Sequence, residues 1–239
     1  ANVVRILIYK ESPEILTKVN LDDDDIFLEP LLFAYFNRDQ TSYLFPDTML
    51  DELMQGFFIN REIHIKSLYN HQNIAYLPNI GYFKKDKCTP FSSLYKILGT
   101  DIEVIPHEVL LLRNVVHIVS SQNPIKEGSL LMSNELFEEN IKSLTNGVNF
   151  LKNNNNQYFS LIQLCLKKCI FFKIKNTIGK SFASIKANGI IYFNLYEDIH
   201  DEVYFIDNLG FLSGKIIFTT LLHAPENIFK FSHRTKIRD

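Results

Sequence analysis

Four short patterns hold the residues whose types and spacing could do chemistry. Gly179-Lys180-Ser181 has the ending of a phosphate-binding loop, in which glycine-rich backbone cradles phosphate. The glycine that should open the loop falls at Ile174, so nucleotide binding is not expected. His107-Glu108 begins like the HExxH zinc-peptidase motif, which sets two imidazoles on one helical face. Position 111 is Leu111. The next histidine, His117, would lie about 80° away around a helix, so this pair is not expected to hold a metal. His200-Asp201-Glu202 is an HxE triplet that could give two members of a facial triad, with His223 or His233 as the third. It sits at an expected helix start, where acidic residues are favoured for another reason. Cys165 and Cys169 are spaced CxxxC without the further ligands of a structural zinc site, and read as ordinary thiols.

The composition narrows the function classes. The chain has 239 residues, with 25 Lys+Arg against 27 Asp+Glu and a net charge of −2. That balance argues against a dedicated nucleic-acid binder. Hydrophobic residues make up 46% and charged residues 22%, which excludes disorder. Three cysteines, odd in number and sparse, argue against a disulfide scaffold and fit a reducing compartment. The first residues lack the pattern of a secretory signal, and Lys167, Lys168 and Lys173 interrupt the most apolar window. A cytoplasmic protein without a membrane span is expected. Aromatic content is high, with 20 Phe and 11 Tyr but no Trp.

The elements that must position these residues read as α+β, mostly helical, with a small sheet in the C-terminal half. A single domain over 1–239 is expected, with a helical subregion over 1–100. Residues 1–20 fit either a strand or a short helix. The acidic run at 22–25 reads as a solvated turn or helix start. Pro30 suits the first turn of a buried helix opening near Glu29. A helix is expected over 47–69, with Leu50, Leu53, Met54, Phe57 and Phe58 on one side. Residues 78–81 (PNIG) read as a turn, 101–106 (DIEVIP) as a strand, and 108–119 as either helix or strand. Over 133–151, Phe137, Ile141, Leu144, Val148 and Leu151 make one helical stripe, with Ser133 or Asn134 as cap. Residues 153–156 read as a loop of four asparagines, followed by a helix over 157–168. Strands are expected at 170–174 and 189–195, then a helix from Asp201 to about Leu222.

One longer stretch carries a resemblance. It runs through SFASI at 181–185, NGIIYFN at 188–194 and DEVYFIDNLG at 201–210, and ends in FLSGKIIF at 211–218. Over about residues 130–225 the chain resembles the HExxH-type peptide-modifying proteins of bacterial ribosomally made peptide pathways, some of which are iron- and α-ketoglutarate-dependent peptide β-hydroxylases. In that family a strand with an SFAS…G…FFN-like pattern precedes a helix bearing an HxxxH pair. The resemblance places that pair at Phe211 and Lys215. A phenyl ring has no lone pair to give, and a charged ammonium repels a cation. The family continues with another histidine-bearing segment, whereas only residues 232–239 follow Phe231 here.

The resemblance therefore implies a non-catalytic relative without iron or another cofactor, which binds a peptide or serves as a partner protein in peptide maturation. Two alternatives stand beside it. One is an active iron and α-ketoglutarate enzyme with ligands drawn from His200, Asp201, Glu202, Asp207, His223 and His233. The other, independent of the resemblance, is an aromatic-rich module that binds peptide or protein. No nucleic acid and no membrane are expected as partners. The sequence does not specify substrate or oligomeric state.

Overall fold

Alternation along two short apolar strands organises the molecule. In KCIFF (Lys168–Phe172) and IIYFN (Ile190–Asn194) every residue is buried, the pattern of parallel strands covered on both faces. A computed structural model describes residues 1–38, 46, 48–60, 62–87, 89–119, 133–173, 181–196 and 198–222, apart from the side chains of 114 and 116–119.

The described helices are α1 (Asn2–Glu11), α2 (Asp24–Phe27), α3 (Pro30–Phe36), α4 (Met49–Met54), α5 (Leu110–Val119), α6 (Asn134–Asn154), α7 (Asn156–Cys165) and α8 (Glu202–Leu222). A hairpin pairs β1 (Ile74–Leu77) with β2 (Gly81–Lys84). A second sheet has the order β3 (Tyr95–Lys96), β4 (Glu103–Ile105), β5 (Lys168–Phe172), β7 (Ile190–Asn194), β6 (Phe182–Ala183). Its central strands β4, β5 and β7 are parallel, and its two edge strands run antiparallel.

The period-two geometry of a strand sends neighbouring side chains to opposite faces. Ile105, Ile170, Phe172, Phe182, Ile190 and Tyr192 join a core with α1–α5 and the hairpin. Val104, Cys169, Phe171, Ala183, Ile191 and Phe193 join a second core with α6–α8. The sheet is thus the middle of three layers, and Phe182 stacks on its register partner Tyr192 at 4.5 Å.

The mostly helical α+β class is as expected, and the sheet also takes in β3 and β4 from the first half of the chain. Ser133 caps α6 through Leu136 N–H, and Phe137, Ile141, Leu144 and Val148 of its stripe are buried. The segment 1–20 opens as a helix, and 110–119 is helical. Asp23 caps the short α2 within the acidic run.

Four expectations are corrected. The stretch 47–69 is helical only to Met54, with a 3-10 turn to Phe57. Beyond it, side chains satisfy the backbone in place of helical bonds. Glu52 Oε2 accepts the N–H groups of Lys66 and Ser67, and the Gln55 amide bonds both N–H and C=O of His64. The asparagine run is not a loop, because Asn155 alone breaks α6 from α7 and caps the latter through Tyr158 N–H. The helix expected to reach Lys168 ends at Cys165, since Lys168 already pairs in register with Glu103 and Ile190. The first 100 residues also include the hairpin and β3, so they are not a purely helical subregion.

Candidate functional site

Glu103 and Lys168 are the first residues of β4 and β5, are register partners, and share the face of Ile105 and Ile170. Two further side chains reach them. Glu29 caps α3, accepting Leu31 N–H at 3.2 Å through Oε1. Tyr76 comes from β1. Lys168 Nζ lies 2.8 Å from Glu103 Oε2, 2.8 Å from the Tyr76 hydroxyl and 3.3 Å from Glu29 Oε2. The Tyr76 hydroxyl donates to the same Glu103 Oε2 at 2.7 Å.

This four-residue cluster is buried: Glu29 is 8%, Glu103 4% and Lys168 4% exposed. Burial alone would lower the Lys168 ammonium, but Glu29 and Glu103 outweigh it and hold the group above the ordinary lysine value. Burial lifts the Glu29 carboxyl above the usual range, with Lys168 opposing the shift. Burial and then the Glu103 charge push the Tyr76 phenol well above its ordinary value.

Glu29, Glu103 and Lys168 form the floor of an open cleft of about 260 Å³ at the amino edge of the parallel strands. Its walls include Ile26, Leu28, Pro30, Phe57 and Leu94. Charged side chains surround it, with Lys167 3.1 Å from Asp25 and Lys96 3.3 Å from Asp101. Lys168 spends its three N–H donors on three acceptors, and both Glu29 oxygens are engaged. Glu103 Oε1 is different: it is buried and has no hydrogen-bond partner among the described residues.

The opposite, carboxyl edge of the strands is where open α/β sheets ordinarily bind ligands. Here it is filled. Glu108 is buried with His71 Nδ1 at 3.2 Å and Arg113 Nε at 3.6 Å, and its carbonyl accepts Asn70 Nδ2 at 2.7 Å. The cavity beside it is only about 10 Å³, room for a single water at most. His107 packs edge-on against Tyr82, and burial followed by the Lys84 charge lowers its basicity. The side chain of His117 and residues 174–180 lie outside the described residues.

Among the described residues, the predicted metal ligands are not brought together. Phe211 is 75% exposed on the outward side of α8, and Lys215 is exposed one turn later, while Phe205, Leu209, Leu212 and Ile216 face the core. Gly210 and Gly214 do not mark close packing, since a Cβ at Gly210 would meet nothing within 4 Å and one at Gly214 only the Tyr158 hydroxyl at 3.9 Å. His200 stacks on Tyr204 at 3.8 Å and places Nε2 3.1 Å from the Leu195 carbonyl. Glu202 is exposed and accepts from Asn146 at 3.3 Å. His223 and His233 lie outside the described residues. Among the described residues, no three His, Cys, Asp or Glu side chains could hold a metal ion, so those residues do not fit the iron centre of the peptide β-hydroxylases.

No family model, curated protein or solved structure matches the chain. Among the described residues, no helix is long and apolar enough to cross a membrane.

Sequence reasoning missed Glu29, Tyr76, Glu103 and Lys168. Glu29 was read only as the opening of a helix, Glu103 as the polar position of a strand, and Lys168 as a helix end. A signal was present in KCIFF: read as a strand, it puts Lys168 on the same face as Ile170 and Phe172.

Proposed function

We propose that this protein binds a peptide or protein segment, and that the cleft above Lys168 receives it. The observation that carries the reading is an open cleft of about 260 Å³ in which apolar side chains stand among charged ones above a buried, ion-paired floor. Apolar surface beside polar groups held in place can bury and orient a ligand. The floor favours binding over chemistry. A nucleophilic lysine needs a depressed pKa, whereas Lys168 is held above the ordinary value. The Tyr76 phenol is likewise kept protonated near neutral pH. The resemblance sets Phe211 and Lys215 of α8 where a histidine pair would stand, and neither side chain can act as an imidazole, which favours the same non-catalytic reading.

The test uses the full chain and fluorescence anisotropy with a labelled random-hexapeptide pool. Saturable binding is expected, and Leu94→Trp, which narrows the cleft, should weaken it at least tenfold without lowering thermal stability. Absence of saturable binding, or binding indifferent to Leu94→Trp, would refute the reading. Stoichiometric, tightly held iron in the purified protein would instead favour an active metalloenzyme.

A further inference from the structure

Apolar residues stand on both sides of α8. Phe205, Leu209, Leu212 and Ile216 enter the core shared with α6, α7 and the sheet. The outward side of a surface helix is ordinarily charged or polar. Here it presents Phe211 at 75% and Phe218 at 58% exposure, with Val203 and Leu221 exposed toward the two ends. A helix that is apolar all round is ordinarily covered all round, and the described residues cover only one side of α8. Exposed apolar surface rimmed by polar groups marks interaction sites.

The charges on this face indicate what covers it. After Glu202 at its start, α8 has two charged residues, Asp207 and Lys215. Both are exposed, and neither has an ion-pair partner among the described residues. No charged residue stands three or four positions from either of them on the helix. Asp207 comes four residues before Phe211 and Lys215 four after it. Each is thus about 6 Å from Phe211 along the axis and about 40° to one side, in opposite directions. About 12 Å of rise keeps them from pairing with each other. Turned over about a two-fold axis at Phe211, a second α8 runs antiparallel and brings its Lys215 opposite Asp207, and its Asp207 opposite Lys215. A parallel copy would set like charges together. A two-fold interface requires a surface that complements itself in this way.

We infer that α8 docks against α8 of a second copy of this chain, as an antiparallel two-fold pair with the two Phe211 rings meeting at the axis. Packed helices lie about 8–10 Å apart, which leaves the opposed charges within reach of each other. With about 200 Å² for a whole phenylalanine, Phe211 and Phe218 hold roughly 250 Å² of apolar surface per copy for burial. Val203, Leu221 and the charged pair bring two copies toward roughly 1,200 Å², the low end of specific interfaces, so the dimer is weak and reversible. None of the residues lining the cleft is on α8, so this inference stands or falls apart from the peptide reading.

Sedimentation velocity of the full chain, from low to high micromolar concentration, tests it. A reversible monomer–dimer equilibrium is expected. Phe211→Glu puts two carboxylates at the axis, and Lys215→Asp sets acid against acid twice over. Each should raise the dimer dissociation constant at least tenfold, because like charges face each other. Both positions are exposed in the single copy, so its circular dichroism should not change. Adding Asp207→Lys to Lys215→Asp exchanges the two charges and should restore the dimer, which a role of Lys215 within one copy would not do. A chain that stays monomeric throughout overturns the inference. So does a dimer indifferent to both single variants, since it uses another surface. A dimer weakened by Lys215→Asp and not recovered by the exchange also overturns it, since the two charges then do not face each other. If Phe211→Glu does not fold, the charge exchange still decides.

Discussion

Replacing Lys168 by methionine tests the reasoning about the buried floor most directly. The ammonium makes contacts at 2.8, 2.8 and 3.3 Å with Glu103, Tyr76 and Glu29. Methionine is of similar length but leaves two carboxylates at 4% and 8% exposure without a counter-charge. Breaking a buried pair from one side costs about 3–5 kcal/mol. For a chain of this size each kcal/mol shifts Tm by about 2–4 °C, so a fall of roughly 6–20 °C is expected. The loss depends on pH in a definite direction. Lys168 has its pKa raised in the fold, so its own contribution is complete below the ordinary lysine value and is lost only as pH rises through the raised one. Glu29 also has a raised pKa. Its folded form holds a proton longer, and stability falls as pH rises from the ordinary carboxylate value to the raised one. Without Lys168 that window widens upward. Urea denaturation at pH 5 and pH 8 should therefore show the larger deficit at pH 8, and Glu29→Gln added to the variant should recover part of it. A deficit below about 1 kcal/mol at pH 8, or the same deficit at both pH values, would refute the argument.

Two glycines should respond in opposite senses. A Cβ at Gly56 would lie 1.8 Å from the Pro78 carbonyl oxygen, so Gly56→Ala must push the α4 end away from the hairpin turn and should lower stability by about 3 kcal/mol in thermal melts. Gly210 has open space at that position, and Gly210→Ala should raise stability by about 0.8–1 kcal/mol; a loss there would show that α8 is packed differently. Cys169 is fully buried and burial pushes its thiol up, so iodoacetamide should label it only after denaturation, whereas half-buried Cys165 labels slowly in the native protein. Peptide mapping reads both, and rapid native labelling of Cys169 would contradict the packing of β5.

Much of the local structure was legible because local rules set it. The stripe from Phe137 to Val148 and the Ser133 cap fixed α6 through period and hydrogen bonding within a few residues. Pro30 opened α3, and the β-branched and aromatic run at 190–194 made a strand. The failures had a common cause. Asp47 and the leucines after it promised a long helix, but Glu52 and Gln55 reached residues 64–67 and took over their backbone bonds. Lys168 followed a helical pattern, but pairing with β4 and β7 drew it into the sheet.

The sequence by itself determined the class of molecule: a mixed helical and strand protein with an ordinary charge balance, an aromatic core and no intact phosphate loop. It also showed that Phe211 and Lys215 cannot supply two imidazoles. Only the tertiary structure decided where a ligand could go. Glu29, Tyr76, Glu103 and Lys168 are far apart along the chain, and nothing in their local spacing marks them as a unit. They meet because the parallel pairing of β4 with β5 sets Glu103 beside Lys168, while the α3 cap and the hairpin deliver Glu29 and Tyr76 to the same face. In that buried setting water screens the charges little, so each must find its partner within the cluster. The same packing turns Phe211 outward onto the surface and sets the candidate cleft at the amino edge of the sheet.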